Sequence, residues 1–397
     1  MAEKPPFRRV LILADESADW LAAGLRQLDR LALAVDEFAI ENNESSPVSV
    51  CVFWRPNLDQ SQKWIPEHER LTHIIFTTDL DGEPYDFVLH TRLFVYRNGL
   101  RRLMEASTAS PEIIPASEGQ SEQEFWESNF RLVSARPHFW EGACEYITDG
   151  NQIDAIEKRF LRSSGKSQDG LVSKYLNRPL SRMVTRLLLR FPTTPNAWTW
   201  LIFPIPIIAT LVLFQGTYWC FFLGLILYQV FSVLDGCDGE IARAKFLESE
   251  SGRRLDDRFD IISNILLVIG LGFGLHRQTN LTGQIGWIYS FEGILAGALI
   301  AVNEFYLGTQ KPRADENEPA LLGGSVYPRH RELVQHSGIL LLGEKFTSWV
   351  IQLTKRDVAI LFFVLLAALG VPALILHLLF AVTAVSFILA CRARLVH

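Results

Sequence analysis

The sequence predicts two unlike parts: a soluble α/β domain, then an all-α membrane domain of six transmembrane helices. Three observations predict this. First, the charge changes sign: residues 1–156 hold 14 basic and 26 acidic side chains, the remainder 24 and 18. Second, apolar runs are short before residue 156 and approach membrane-crossing length after it. Third, the cations of the second part gather in alternate loops. The mean hydropathy of +0.15 over 397 residues averages these two compositions. Chain-wide disorder is excluded, because Leu, Ile, Val and Phe are abundant and the net charge is only -6. Five scattered cysteines with no CxxC pair favour neither a disulfide framework nor a cysteine zinc site. The start MAEKPPFRR has no apolar core of a signal peptide. No feature calls for a nucleic-acid partner.

In the first part, residues 10–14 and 48–53 read as buried strands, and 73–77 and 87–96 as further strands. Apolar residues at helical spacing predict a helix over 21–34 and another starting at 100–106. Strands alternating with helices make this an α/β domain, 1–156. A basic linker and juxtamembrane helix follow over 157–192, and the membrane domain over 193–397.

Six apolar runs follow, at 197–214, 217–234, 261–275, 285–307, 358–369 and 371–391. Several reach about 20 residues only when polar flanks are counted. Gly370 and Pro372 divide the last two; one broken or re-entrant helix over 358–391 is the competing reading. Lys and Arg fill 158–190, 236–258, 308–356 and the tail, whereas the alternate loops hold only Arg277. By the positive-inside rule the protein is an integral membrane protein with its N-terminal domain, long loops and C-terminus in the cytoplasm. Over 175–189, Leu176, Leu180, Met183, Val184, Leu187 and Leu188 fall near one helix face. Lys174, Arg178, Arg182 and Arg186 repeat every four residues on another. This predicts an amphipathic helix on an anionic membrane surface, with an ordinary surface helix as the plainer reading.

The chemistry concentrates where the second run ends, in LDGCDGEIARAKFLESESGRRLDDRFDIISN. Asp235 and Asp238 are three apart, and Asp256 and Asp260 four apart, so each pair shares a helix face. Acids at the edge of hydrocarbon are costly and point to function. Four converging carboxylates repel one another unless cations balance them. Hard oxygen ligands suit Mg²⁺ or Mn²⁺, and such a set can hold two ions and a diphosphate. Gly239 and Ala242 extend the stripe with little side chain, leaving room for a nucleotide-sized ligand. Arg243 offers a planar fork to phosphate. Gly252 is expected to let the loop turn before the next helix.

These residues match DxxDGxxAR, eight residues, then GxxxDxxxD, which resembles the signature of the CDP-alcohol phosphotransferase family. The resemblance covers roughly residues 169–391. It implies six transmembrane helices, usually in a homodimer, and transfer of a substituted phosphate from a CDP-alcohol to an acceptor alcohol with release of CMP. It further implies that Asp235, Asp238 and Asp256 hold metal and that Asp260 is the general base and shares a metal. Asp238, Gly239, Ala242, Arg243, Gly252 and Asp256 would line the CDP pocket. Residues 168–181 resemble the surface helix of the branch that includes di-myo-inositol-phosphate-phosphate synthases. Thr194, Pro195 and Asn196 resemble that family's start of the first span, and equally fit a helix N-terminus with proline setting the turn. Lys355 and Arg356 are candidates for a phosphorylated acceptor, with Arg329 and Arg331 in the preceding loop. Positive-inside charge explains them as well.

The branch resemblance implies a nucleotidyltransferase-like fold for the first domain. Such domains open with a strand and a Gly-rich phosphate loop. Here the strand runs into Asp15-Glu16-Ser17-Ala18-Asp19, and the next glycine is Gly24, so the domain reads as degenerate. Asp79 and Asp81 resemble a metal-binding DxD pair, and a simple turn explains them too. Two other functions compete. A membrane-anchored nucleotidyltransferase is opposed by the missing glycine loop. A non-catalytic scaffold is opposed by four acids at the membrane edge. The expected donor is CDP-diacylglycerol or a CDP-inositol type, the acceptor an alcohol or phosphorylated alcohol, and membrane lipids the surroundings.

Overall fold

The structure is a computed structural model. It describes residues 9–41, 47–78, 80, 84–97, 99–106, 121–134, 139–140, 143–163, 170–281, 286–309, 343, 345 and 355–395. Asp79, Asp81, Arg329 and Arg331 lie outside the described residues. The chain divides into two compact units. The first comprises residues 1–164, 189–192 and 243–247; the second comprises 165–188, 193–242 and 248–397.

The first unit contains, in order, β1 (Arg9–Ala14), β2 (Leu21–Ala22), β3 (Leu25–Arg26), α1 (Gln27–Glu41), β4 (Val48–Trp54), β5 (Ile74–Thr77), β6 (Phe87–His90), β7 (Leu93–Val95), α2 (Gly99–Ala106), α3 (Glu122–Ser134), β8 (Phe139–Trp140), β9 (Cys144–Tyr146) and α4 (Ile153–Ser163). Four strands form a parallel sheet in the order β5-β4-β1-β6. Val10, Leu11, Ile12, Leu13 and Ala14 of β1 are all fully buried, as a central parallel strand requires. The helix expected over 21–34 begins only at Gln27. Leu21–Ala22 instead pairs antiparallel with Leu25–Arg26, because Ala23 (φ +47°) and Gly24 (φ +79°) take the left-handed conformations of a tight hairpin. The strand expected over 87–96 breaks at Thr91–Arg92, and its second half, β7, joins an antiparallel sheet with β9 and β8.

The second unit is helical: α5 (Arg178–Leu188), α6 (Pro195–Ile202), α7 (Pro204–Leu213), α8 (Tyr218–Ala244), α9 (Glu250–Leu281), α10 (Trp287–Thr309), α11 (Arg356–Ala368) and α12 (Pro372–Leu395). Among the described residues, the stretches Pro195–Leu213, Tyr218–Ala244 and Glu250–Asn280 are long and apolar enough to cross a membrane. Pro372–Ile388 is apolar but shorter. Gly370 at φ +77° separates α11 from α12. The backbones of α9 and α10 touch: a methyl group on Gly272 would lie 2.6 Å from the Tyr289 carbonyl oxygen and 3.1 Å from the Gly293 Cα. Close small-residue contact of this kind is how helices associate without a hydrophobic driving force between them. A shared apolar core of Leu213, Phe221, Leu225, Leu271, Leu275 and Phe363 joins α7, α8, α9 and α11.

Candidate active site

The C-terminal end of α8 and the start of α9 bring three predicted acids together. One carboxylate oxygen each of Asp235, Asp256 and Asp260 lies within 4.8 Å of the others, and all three are half-buried. One turn of α9 separates Asp256 from Asp260, so both face α8. Three carboxylates this close and partly desolvated are a poor arrangement by themselves and a good oxygen cage for a hard divalent ion.

Asp238 stands apart from that trio. It is almost fully buried, and its Oδ2 accepts a 2.9 Å hydrogen bond from the Thr199 hydroxyl on α6. Its Oδ1 accepts from the Gly239 amide at 2.5 Å. Asp238 is therefore held by α6, while Asp235, one turn earlier, faces α9. Thr194 caps α6 by accepting from the Ala197 amide at 3.3 Å, with Pro195 in the first turn.

Gly252 plays a different part from the expected turn. It lies inside α9, which starts at Glu250, and is absent from the residues with positive φ. A methyl group there would sit 2.9 Å from Asn196 Oδ1 and 3.0 Å from Ser249 Oγ. The close neighbours of Gly252 are thus the ends of the Asn196 and Ser249 side chains, and no bend is made there. Ala242 is buried and Arg243 half-buried at the end of α8.

Arg356 is aimed at the acids. Its Nη1 donates to Asp260 Oδ1 and lies 3.8 Å from Asp235 Oδ2, and its Nη2 donates to Ser263 Oγ at 3.1 Å. The guanidinium lies 5.5 Å from the Phe231 ring centre. Lys355, at the cap of α11, is buried. Asp357, next along, accepts from the Ser173 amide at 2.5 Å, tying α11 to the turn before α5.

Sequence reasoning missed Glu240. It is 1% exposed, and its carboxylate accepts from Ser181 Oγ (2.8 Å), Thr185 Oγ1 (2.6 Å) and Arg178 Nη1 (3.3 Å). Its signal was present as an acid inside an otherwise small and apolar stretch, but it occupies an unspecified position of the signature. Thr199 and Ser263 carried no signal, since a hydroxyl in an apolar helix most often bonds its own backbone.

In the first unit, the carboxyl ends of β1 and β6 meet where the strand order reverses, the usual ligand crevice of open α/β sheets. Here side chains fill it. Asp15 Oδ1 accepts from the Ser17 amide (2.9 Å) and hydroxyl (2.5 Å), and Oδ2 accepts from Arg92 Nε (2.9 Å). Ser17 and Thr91 hydroxyls lie 2.7 Å apart. Burial works to raise the Asp15 carboxyl, but the Ser17 hydrogen bonds and Arg92, joined by His90 only when that ring is protonated, hold it below its ordinary value. His90 Nε2 is 3.8 Å from Asp15 Oδ2; burial pushes this imidazole down to about 4, so it is neutral.

Comparison with known proteins agrees with the signature. Residues 192–391 match the CDP-alcohol phosphatidyltransferase family. A bifunctional IPC transferase and DIPP synthase of Thermococcus kodakarensis is 38% identical over 110 residues, covering 28% of this chain and 24% of that protein. The protein of the same name from Rubrobacter xylanophilus is 35% identical over 144 residues, 36% of this chain and 31% of its own. That from Aquifex aeolicus is 40% identical over 125 residues, 31% and 27%. The matched stretches thus span less than a third of these relatives. With half of its length matched to one family, and with the signature acids Asp235, Asp256 and Asp260 converging at its centre, the chain belongs to the CDP-alcohol phosphatidyltransferase family.

Proposed function

We propose that this chain is an integral membrane CDP-alcohol phosphotransferase, which moves a substituted phosphate from a CDP-alcohol to an acceptor alcohol and releases CMP. The observation that carries the reading is the convergence of Asp235, Asp256 and Asp260 within 4.8 Å at the end of apolar helices. The donor set, all carboxylate oxygen, fits Mg²⁺ or Mn²⁺, and with Asp238 nearby in sequence it has enough ligands for two ions. Bound there, the metal would offset charge on the donor diphosphate and the leaving CMP. Asp260, half-buried but more accessible than Asp235, is the base that takes the proton of the attacking hydroxyl. Asp238, Gly239, Ala242, Arg243, Gly252 and Asp256 form the CDP pocket. Arg356 and Lys355 receive the phosphate of the acceptor.

The relatives named for IPC transfer and DIPP synthesis favour an inositol-type substrate over a glycerol-type one. The membrane domain has six spans: the α6–α7 stretch, α8, α9, α10, α11 and α12. It works as a homodimer, with the acid site and the first domain on the cytoplasmic face. The apolar side of α5, with Leu180, Met183 and Leu187 exposed, rests on the membrane surface. We further propose the division 1–156, 157–192 and 193–397, with the first domain a degenerate nucleotidyltransferase-like fold. The crevice filled by Asp15, Ser17, Thr91 and Arg92 supports this, because a triphosphate would meet carboxylates where backbone amides are needed.

The deciding experiment is a panel of CDP-alcohol donors and alcohol acceptors with the purified protein and Mg²⁺, reading CMP release and product mass. The proposal predicts CMP release with at least one pair and none after Asp256→Asn. Synthesis of a CDP-alcohol from CTP with no CMP-releasing transfer would support the anchored nucleotidyltransferase instead.

A further inference from the structure

The signature leaves open the residues between its fixed positions, and in this chain those residues form a second face of α8. At about 100° per residue, Gly236, Cys237 and Glu240 lie on the side of the helix away from Asp238. That side is covered by α5. Arg178 Nη1 donates to the Gly236 carbonyl at 3.2 Å and to Glu240 Oε1 at 3.3 Å. Ser181 and Thr185 donate one hydroxyl each to the two oxygens of Glu240. Cys237 Sγ lies 3.5 Å from the Ser181 carbonyl oxygen. A turn earlier, Gln229 donates to Asn177 Oδ1 at 2.8 Å, and Asn177 to Ser232 at 3.4 Å. Asn177, Arg178, Ser181, Thr185 and Glu240 are each at least nine-tenths buried. Arg178 therefore leaves the basic stripe read from the sequence and turns inward.

A carboxylate this deep is costly unless donors surround it, and once surrounded it is costly to release. Apolar contact alone would let α8 slide or rotate against α5 with little penalty; three donors on one carboxylate do not. We infer that Glu240 is a positioning residue for the acid motif. Held by Arg178, Ser181 and Thr185 of α5, it fixes the rotation of α8 that turns Asp235 toward α9 and Asp238 toward Thr199. The inference rests on the proposed transferase reading for its catalytic consequence, but not for its structural one.

The test uses full-length protein in detergent or nanodiscs, comparing Glu240→Ala, Glu240→Gln and Thr185→Val with wild type by three measurements. Hydrogen exchange of the 235–242 amides should speed up in Glu240→Ala, with the rest of α8 unchanged. The Mn²⁺ dissociation constant, read by electron paramagnetic resonance, should rise about tenfold, as supporting partners of metal ligands typically cost. CMP release should fall in kcat by about 10- to 100-fold, the scale of a small misplacement, with donor KM within about twofold. Glu240→Gln should recover most of each effect, since its amide oxygen still accepts from Ser181 and Arg178 while the Thr185 hydroxyl turns to accept. If Glu240→Ala does not fold, Thr185→Val, which removes a single hydroxyl, must still show the same pattern at smaller size. Exchange at 235–242 that matches wild type in the folded variants overturns the inference. So does a Mn²⁺ affinity that falls only in step with melting temperature. The exchange pattern in the variants, with no CMP released by wild type from any donor, would sink the transferase reading and leave the positioning role standing.

Discussion

Arg356 of α11 donates a hydrogen bond to Asp260 of α9, the residue proposed as the base. The two are 96 residues apart in sequence, and the same guanidinium reaches to 3.8 Å from Asp235. A fixed cation thus shares the carboxylates that a metal ion would need. With ions held by those carboxylates, the fork would be free to take a ligand's phosphate.

Replacing Arg356 by Gln should therefore separate the two roles. Loss of a charged hydrogen bond of about 1.5–3 kcal/mol to an acceptor phosphate corresponds to an acceptor KM raised about 10- to 100-fold. The donor KM should stay within about threefold, and Mn²⁺ should bind at least as tightly, because a competing cation has gone. Initial rates over an acceptor series, with a metal titration alongside, check this. An unchanged acceptor KM with a phosphorylated acceptor would remove Arg356 from that pocket.

The acids should differ in what they lose. Asp256→Asn and Asp235→Asn should weaken Mn²⁺ binding by at least about tenfold. Asp260→Asn should lower kcat by about 10²- to 10⁴-fold, the usual worth of a general base, with a smaller change in metal affinity. Electron paramagnetic resonance and CMP release on the same preparations give both numbers. Unchanged CMP release in Asp260→Asn would end its assignment as base.

Thr199→Val keeps the shape of the side chain and removes the hydroxyl that holds Asp238. It should lower kcat by about 10-fold, one hydrogen bond to a charged group at the lower end of its range, about 1.5 kcal/mol. Thr199→Ser should restore most of that loss. The comparison is made by steady-state kinetics, with melting temperature as the control for folding.

Acid should loosen the first unit through His90. Burial, with Arg92 beside it and Asp15 acting the other way, holds the folded imidazole at about 4 against an ordinary 6.5. The folded pKa is depressed, so the unfolded chain binds the extra proton. This contribution to stability is complete above about pH 6.5 and is lost as pH falls toward 4, at no more than about 1.4 kcal/mol per pH unit. Pulse proteolysis of the full chain between pH 4 and 7 should show that slope in wild type and a flatter one in His90→Phe. Asp15 is held below its ordinary value in the folded chain, so it adds its own loss of stability only from about pH 5 downward, and the His90 slope is read above that.

The parts of the site that could be read from sequence are those whose spacing is itself physical. Asp235 with Asp238, and Asp256 with Asp260, lie one helical turn apart, and apolar runs on either side marked them as acids in the wrong solvent. Gly252 was visible as a glycine but not in its surroundings, because a missing Cβ looks the same whether it permits a turn or faces Asn196. Glu240 and Arg178 were illegible as partners. They are 62 residues apart, and only the packing of α5 on α8 makes them neighbours. The hairpin at Ala23–Gly24 was hidden because residues 21–34 also carry helical spacing, and a two-residue turn outweighed that local preference.

The braces on the acids also have an order in time. α5 and α6, which hold Glu240, Asp238 and the approach to Gly252, precede α8 and α9 in the chain. They leave the ribosome before the acids do. Arg356 follows Asp260 by 96 residues, which at about 5–20 residues per second is an interval of roughly 5–20 s. During that interval the nascent carboxylates at the ends of their apolar helices are without Arg356. Any cation that balances Asp260 in that interval has to come from solution, and the arginine arrives second.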